Sequence, residues 1–228
     1  MPSRHIRIVL SSTAFLLAGC ASGPAPLPTV APNAEATVDG LYRMDNTVMQ
    51  LGFAKPDLDL SGYTAFMLDP VEVAYQKDPG NRTRTSSDAN YALSTRQMET
   101  LKSVFQEEVE RALGQDGGYR IVTTPGPNVA RLSAYLIDLV VRIPTDRADV
   151  RRTFATSYGE VTMVLELYDS QSGEVLARVA DRQDPTNSAY DLAEVNTAFV
   201  RNDVTRLFRY WATAVRERLD QLRSVASM

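Results

Sequence analysis

Histidine and cysteine are the scarcest chemistry in this chain. His5 is the one histidine and Cys20 the one cysteine in 228 residues. Both sit at the extreme N-terminus, so a chain processed ahead of Cys20 keeps no histidine and no free thiol once that cysteine is modified. This excludes Ser-His-Asp and Cys-His nucleophile systems, thiolate chemistry, and zinc sites built on histidine or cysteine. It also leaves nothing with which to form a disulfide, even in a compartment that permits one. Lysine is thin as well, with only Lys55, Lys77 and Lys102. Catalysis would have to rest on carboxylates, tyrosine, serine or these lysines, so a non-enzyme is expected, with no cofactor and no metal.

The chain also lacks a basic run. Without Arg4 and Arg7 its 24 basic residues fall to 22 against 28 acidic ones, a net charge of −6. Nucleic-acid affinity comes mostly from neutralised phosphates, so no nucleic-acid partner is expected. No apolar run reaches the ~20 residues that a membrane-spanning helix needs.

What is present at the start is an address. Arg4, His5 and Arg7 form a basic n-region, and Ile8 to Ala18 is an 11-residue apolar h-region. Such a segment suits a removable signal. It ends in Leu17-Ala18-Gly19-Cys20, a lipobox, so residues 1–19 read as a lipoprotein signal peptide and Cys20 as the lipidated first residue of the mature chain. Acylated Cys20 would then bind membrane lipid, and two or three chains hold where one is marginal. Ala21 follows the cysteine where aspartate would stand in an inner-membrane protein. The expected location is the cell envelope, on the outer membrane facing the periplasm. Residues 20–37 carry prolines at 24, 26, 28 and 32 and read as a semi-rigid tether reaching on the order of 50 Å. Residues 38–228 remain for one globular domain of ordinary size.

Within that domain, Leu41 to Gly62 has scattered apolar anchors and reads as irregular. Thr64 to Leu68 and Val71 to Tyr75 read as a strand interrupted by Asp69-Pro70, because proline cannot donate to a ladder. Ser94-Thr-Arg-Gln97 is a capping box, and Met98, Leu101, Phe105, Val109 and Ala112 mark one face of the helix it opens. Tyr119–Thr124, Arg131–Ile143, Gly159–Tyr168 and Glu174–Asp181 read as strands. Asp169 to Gly173 makes a tight hairpin between the last two. The final helix, Thr197 to Arg223, has a core stripe of Val200, Val204, Leu207, Trp211, Val215, Leu219 and Leu222. The order is β-α-β-β-β-β-α. This predicts an α+β two-layer sandwich, helices packed on a mainly antiparallel sheet, with the other sheet face covered by the Leu41–Gly62 segment or a partner.

Three sets of residues are candidate sites. Asp138 and Glu166, on sequential strands, would make a glycosidase pair if they approached one another; the alternative is a solvated face or a cross-strand partner such as Arg142 or Arg178. Arg147, Arg151 and Arg152, in the loop between two strands, could grip an anionic lipid headgroup or glycan carboxylate with forked guanidinium contacts. On the last helix Arg201, Arg206, Arg209, Arg216, Arg218 and Arg223 offer an anion-facing surface, or a solvated face with Arg216 and Asp220 as an i,i+4 pair.

Several phrases carry a family resemblance: GFAKPDLDLSGYTAFMLDPVEV around Phe53 to Val73, YRIVTTPGPN from Tyr119 to Asn128, Leu136-Ile-Asp-Leu139, and Trp211. Together they resemble a family of small bacterial lipoproteins, the domain of unknown function 3313, over most of residues 41–224. The resemblance implies an envelope lipoprotein and brings no catalytic residue. The reading that follows is a non-enzymatic interaction module binding another envelope component, an envelope protein first. Its alternatives are a lipid or small-ligand binder using a cleft between the sheet and Leu41–Gly62, and a carboxylate-based glycan hydrolase.

Overall fold

The computed structural model describes residues 26–77, 92–141, 153–155, 159–185, 193–195 and 197–226. Cys20 and the loop arginines Arg147, Arg151 and Arg152 lie outside the described residues.

The elements run β1 Thr29–Val30, β2 Tyr42–Asp45, β3 Leu51–Ala54, β4 Ala65–Leu68, β5 Glu72–Tyr75, α1 Thr95–Gly114, β6 Arg120–Val122, β7 Val129–Val141, β8 Thr153–Ala155, β9 Gly159–Asp169, β10 Val175–Gln183, β11 Ala193–Val195 and α2 Thr197–Ala226. Strands β8 and β11 pair only with each other. The main sheet has the order β1-β2-β3-β10-β9-β7-β4-β6, with β5 also on β7. The α+β two-layer arrangement is therefore present, with both helices and the long C-terminal one in particular.

From β1 through β7 every pairing in the main sheet is antiparallel. The opposite edge is parallel: β4 and β5 both run alongside β7, and β6 runs alongside β4. Parallel neighbours need a crossover, and α1 supplies it between β5 and β6. Asp69-Pro70 divides what would be one strand into two, each with its own register on β7, Ala65 opposite Val129 and Glu72 opposite Tyr135.

The Leu41–Gly62 segment is not wholly irregular. Tyr42–Asp45 and Leu51–Ala54 extend the sheet beyond β10. Their signal is hidden because the buried side of β3 is Gly52 and Ala54, which add no hydrophobic alternation. Between β2 and β3 the chain reverses with Asn46 in the left-handed region, φ 58°, a conformation asparagine tolerates better than most residues. Upstream, Thr29 and Val30 pair with Asp45 and Met44, so the part of the proline-rich segment from Thr29 onward lies on the sheet.

Both helices cover one sheet face. Helix α1 starts on its capping box, Gln97 N–H donating to Ser94 Oγ at 3.3 Å and Ser94 N–H to Gln97 Oε1 at 2.8 Å. Phe105 of α1 meets Phe208 of α2 edge-on at 5.1 Å, and Phe208 stacks on Trp211 at 5.9 Å. Under them lie Leu132, Leu136, Met163 and Leu165, all buried. The Asp169–Gly173 turn closes the β9–β10 hairpin with Gly173 at φ 73°, a backbone only glycine takes without penalty.

Candidate functional site

Neither carboxylate of the Asp138–Glu166 pair reaches the other. Glu166 stands opposite Ser133 of β7, so Asp138 is five residues further along that strand, roughly 16 Å away at ~3.3 Å per residue. Asp138 itself sits at φ 52° in the bulge between Ile137 and Val140. Glu166 instead accepts from Arg178 Nε at 2.6 Å and from the Tyr168 hydroxyl, and Arg178 Nη2 donates to Asp39 at 2.7 Å. Burial works against the Arg178 charge, yet Glu166 and Asp39 together hold its pKa above the usual arginine value. Arg131 lies over the Tyr168 ring at 4.6 Å and beside Asp69, which Ser133 also bonds. This face of the sheet pairs its charges with one another, and beside them it carries apolar Tyr135, Val164, Ala180 and the exposed Leu51. It is built as a structural network.

The opposite, helix-covered face holds a different feature. Where α2 passes over β3, β10 and β9, the layers do not close. A cleft with a cavity volume of about 120 Å³, open to solvent on one side, lies between the last turns of α2 and the sheet. Its α2 wall is Val215, Arg218, Leu219 and Leu222, and its sheet wall includes Leu165, Leu167, Ala177 and Val179. Met49, Leu58 and Leu60, from the segment around β3, close one end. Pro28 and Val48 lie at the rim, and Val48 is exposed.

Local sequence explains why the gap exists. Gly52 and Ala54 put almost no side chain into the layer. At Gly52 an added Cβ would stand 2.4 Å from Thr47 Cγ2, so the β2–β3 loop folds against β3 only because that position is glycine. Along α2 the stripe is fully buried at Phe208 and Trp211 but only partly buried at Val215 and Leu222.

The lining includes two arginines; Arg178 is paired with Asp39 and Glu166, and Arg218 is not paired with an acid. Arg218 Nη1 donates to the Pro26 carbonyl at 3.0 Å and to Gln221 Oε1 at 2.7 Å, and Nη2 donates to the Asn46 carbonyl at 3.1 Å. All three acceptors are neutral. Partial burial pulls its pKa below the usual arginine value. Among the described residues it is the one partly buried arginine without a carboxylate partner. By contrast Arg216, two residues earlier, bonds Asp220 at 2.7 Å and the carbonyls of Ala112, Leu113 and Gln115 at the end of α1. The expected Arg216–Asp220 pair is therefore present, while Arg218 stands apart from the ion pairs of its own helix. Sequence reasoning missed it because six arginines on one helix look alike until their partners are known.

Residues 39–215 match the family described as Protein of unknown function (DUF3313). The chain belongs to this family. Its matched segment ends at Val215, so Arg218, Leu219 and Leu222 of the cleft follow it. Comparison with curated proteins finds no match. Among solved structures, similarity extends to a PelC dodecamer from Paraburkholderia phytofirmans, at 14% identity over 68% of this chain and 90% of that one, TM-score 0.33. Protein XCC0632 from Xanthomonas campestris shows 11% identity over 72% and 87%, TM-score 0.37. A neuraminyllactose-binding hemagglutinin homolog from Helicobacter pylori shows 10% identity over 74% and 91%, also at TM-score 0.37.

The described residues hold no group of His, Cys, Asp and Glu side chains able to bind a metal, and no helix among them is long and apolar enough to cross a membrane.

Proposed function

We propose that this protein is a non-enzymatic, lipid-anchored envelope lipoprotein whose domain holds the alkyl chain of an amphiphile in the cleft beneath α2. The observation that carries the reading is the cleft itself: an apolar gap left open in an otherwise packed layer. It favours lipid binding over the expected protein partner, because the cleft joins an apolar volume to a cation without an acidic partner, whereas the charges of the second sheet face are already paired with one another.

Size limits the ligand. An apolar cavity of roughly 150 Å³ takes up a benzene ring, so the enclosed part of this cleft fits about five methylenes and the rest of a chain would lie in the mouth. At ~0.8 kcal/mol per methylene that burial contributes about 4 kcal/mol, which alone corresponds to a dissociation constant of about 1 mM. Useful affinity therefore requires a contribution from the headgroup or from a high local concentration, such as a bilayer nearby. The anchor supplies the second. Arg218 bonds Pro26, six residues from Cys20, so an extended link at ~3.1 Å per residue keeps the cleft within roughly 20 Å of acylated Cys20.

Two experiments test this reading. Calorimetric titration of the purified protein with a twelve-carbon amphiphile should give saturable one-to-one binding, and Leu222→Trp, which fills the cleft, should weaken it at least tenfold. Equal binding by that variant would place the ligand elsewhere. For the anchor, Cys20→Ala should abolish acyl mass and membrane retention; a variant still membrane-bound would refute lipidation as the tether.

A further inference from the structure

Within the lipid-binding reading, Arg218 has donors to spare. Its five N–H groups are shared among Nε, Nη1 and Nη2. Both Nη1 hydrogens and one Nη2 hydrogen are used on Pro26, Gln221 and Asn46. Nε–H and one Nη2 hydrogen remain, on neighbouring nitrogens of the guanidinium. Nε and Nη2 are the pair of nitrogens through which a guanidinium takes a carboxylate bidentately.

The charge count points the same way. Arg178, Arg182, Arg206, Arg209 and Arg216 each have an acidic partner. Arg218, less exposed than Arg182, Arg206 or Arg209, has three neutral acceptors and no anion. A cation partly withdrawn from water without a counter-ion is unfavourable unless something compensates it. Its neighbours in the lining, Val215, Leu219 and Leu222, cannot. An anion at the rim with an alkyl tail would satisfy both the arginine and the apolar walls.

We infer that Arg218 is the headgroup-recognising residue of the cleft, and that the ligand it selects is a fatty carboxylate. A carboxylate is favoured over a phosphate because only two donors are left, matching two coplanar oxygens and leaving a third phosphate oxygen without a protein donor. This rests on the cleft being a lipid site, and the test separates the two. The full-length protein is titrated with laurate, dodecyl phosphate and dodecanol, which share one chain length and differ in the head.

Laurate is expected to bind about ten- to a hundredfold more tightly than dodecanol, the range for hydrogen bonds to a charged group. Arg218→Gln should reduce that preference to about threefold or less while still binding dodecanol, and Arg218→Lys should keep part of it. Circular dichroism of each variant establishes that it is folded. Equal affinity for laurate and dodecanol in the wild type overturns the inference and leaves the cleft intact as a lipid site. A preference that survives Arg218→Gln overturns the residue assignment. Dodecyl phosphate binding well above laurate overturns the choice of carboxylate. Binding of none of the three removes the lipid-site reading, and this inference with it.

Discussion

The middle and the C-terminal end of α2 do different work with the same alphabet. In its middle, Phe208 and Trp211 are buried to within 1% of complete, and every polar group they bring is matched. Trp211 Nε1–H donates to Asp181 Oδ2 at 2.8 Å, and that buried carboxylate also accepts from Gln50 N–H at 3.1 Å and Gln183 Nε2 at 2.9 Å. Over the next three turns Val215, Leu219 and Leu222 face the cleft, and Arg218 meets only neutral acceptors. Closure in the middle fixes the helix; incompleteness at the C-terminal end leaves a place for something else. A protein interior is normally packed like an organic crystal, so an unfilled apolar gap beside a cation without an anionic partner is informative where a full one is not.

Breaking the closed middle should cost most. Trp211→Ala removes the largest fully buried side chain and leaves Asp181 short of a donor, with an expected loss of about 3–5 kcal/mol, measured by urea unfolding. Trp211→Phe separates the two contributions, since packing is largely kept while the donor is lost.

Arg216 tests the boundary between the two regions. Its Nη1 serves three carbonyls at the C-terminus of α1 and its guanidinium lies 5.3 Å from the centre of the Tyr119 ring. Arg216→Ala should destabilise the protein by about 1.5–3 kcal/mol, the range for hydrogen bonds to a charged group. An effect no larger than that of Arg218→Gln would erase the contrast drawn between these two arginines.

Titration sharpens the contrast further, because these carboxylates have partners that Arg218 lacks. Asp169 is held below its ordinary 3.8 by the Ser172 backbone N–H, and Asp39 by the Thr37 hydroxyl and then Arg178. At Glu108 burial pushes upward, but Arg209 and Arg111 outweigh it and the pKa falls below 4.5. A folded-state pKa below the unfolded one adds stability that is complete above the unfolded value and is lost as pH falls through the folded one. The melting temperature should therefore hold from neutrality down to about pH 5 and decline below about pH 4. On the alkaline side, burial and then the bond to Asp169 push Tyr63 from 10.0 up to about 12. Here the protonated form is favoured by folding, so its contribution is present below pH 10 and lost between about pH 10 and 12. A melting temperature that rose on acidification would contradict the carboxylate assignments.

The smallest expected effect on stability is at the open end. Arg218→Gln gives up hydrogen bonds to neutral acceptors but no ion pair, so it should cost about 1 kcal/mol, less than Arg216→Ala, while altering ligand preference.

Much of this fold was legible in the chain. Ser94 and Gln97 announced α1, Gly173 the hairpin, and the stripe from Leu207 to Leu222 the long helix. Each is a local signal with a fixed spacing. The parallel edge was not legible, because whether β4 runs with or against β7 depends on the crossover rather than on residues within either strand. Strands β2 and β3 escaped because Gly52 and Ala54 fill the buried positions that usually carry the hydrophobic signal. The cleft escaped for the same reason: it is made of small residues on one side and an ordinary-looking helical stripe on the other. Arg218 could be singled out only by what it fails to touch.

The most direct test of the central claim is nuclear Overhauser contact between a bound twelve-carbon chain and the methyl groups of this cleft. The predicted result is contacts from the chain terminus to Leu165, Val179 and Leu219, with those nearer the head to Leu222. Saturating ligand that shows contacts only to methyls outside the cleft, or none at all, would contradict it.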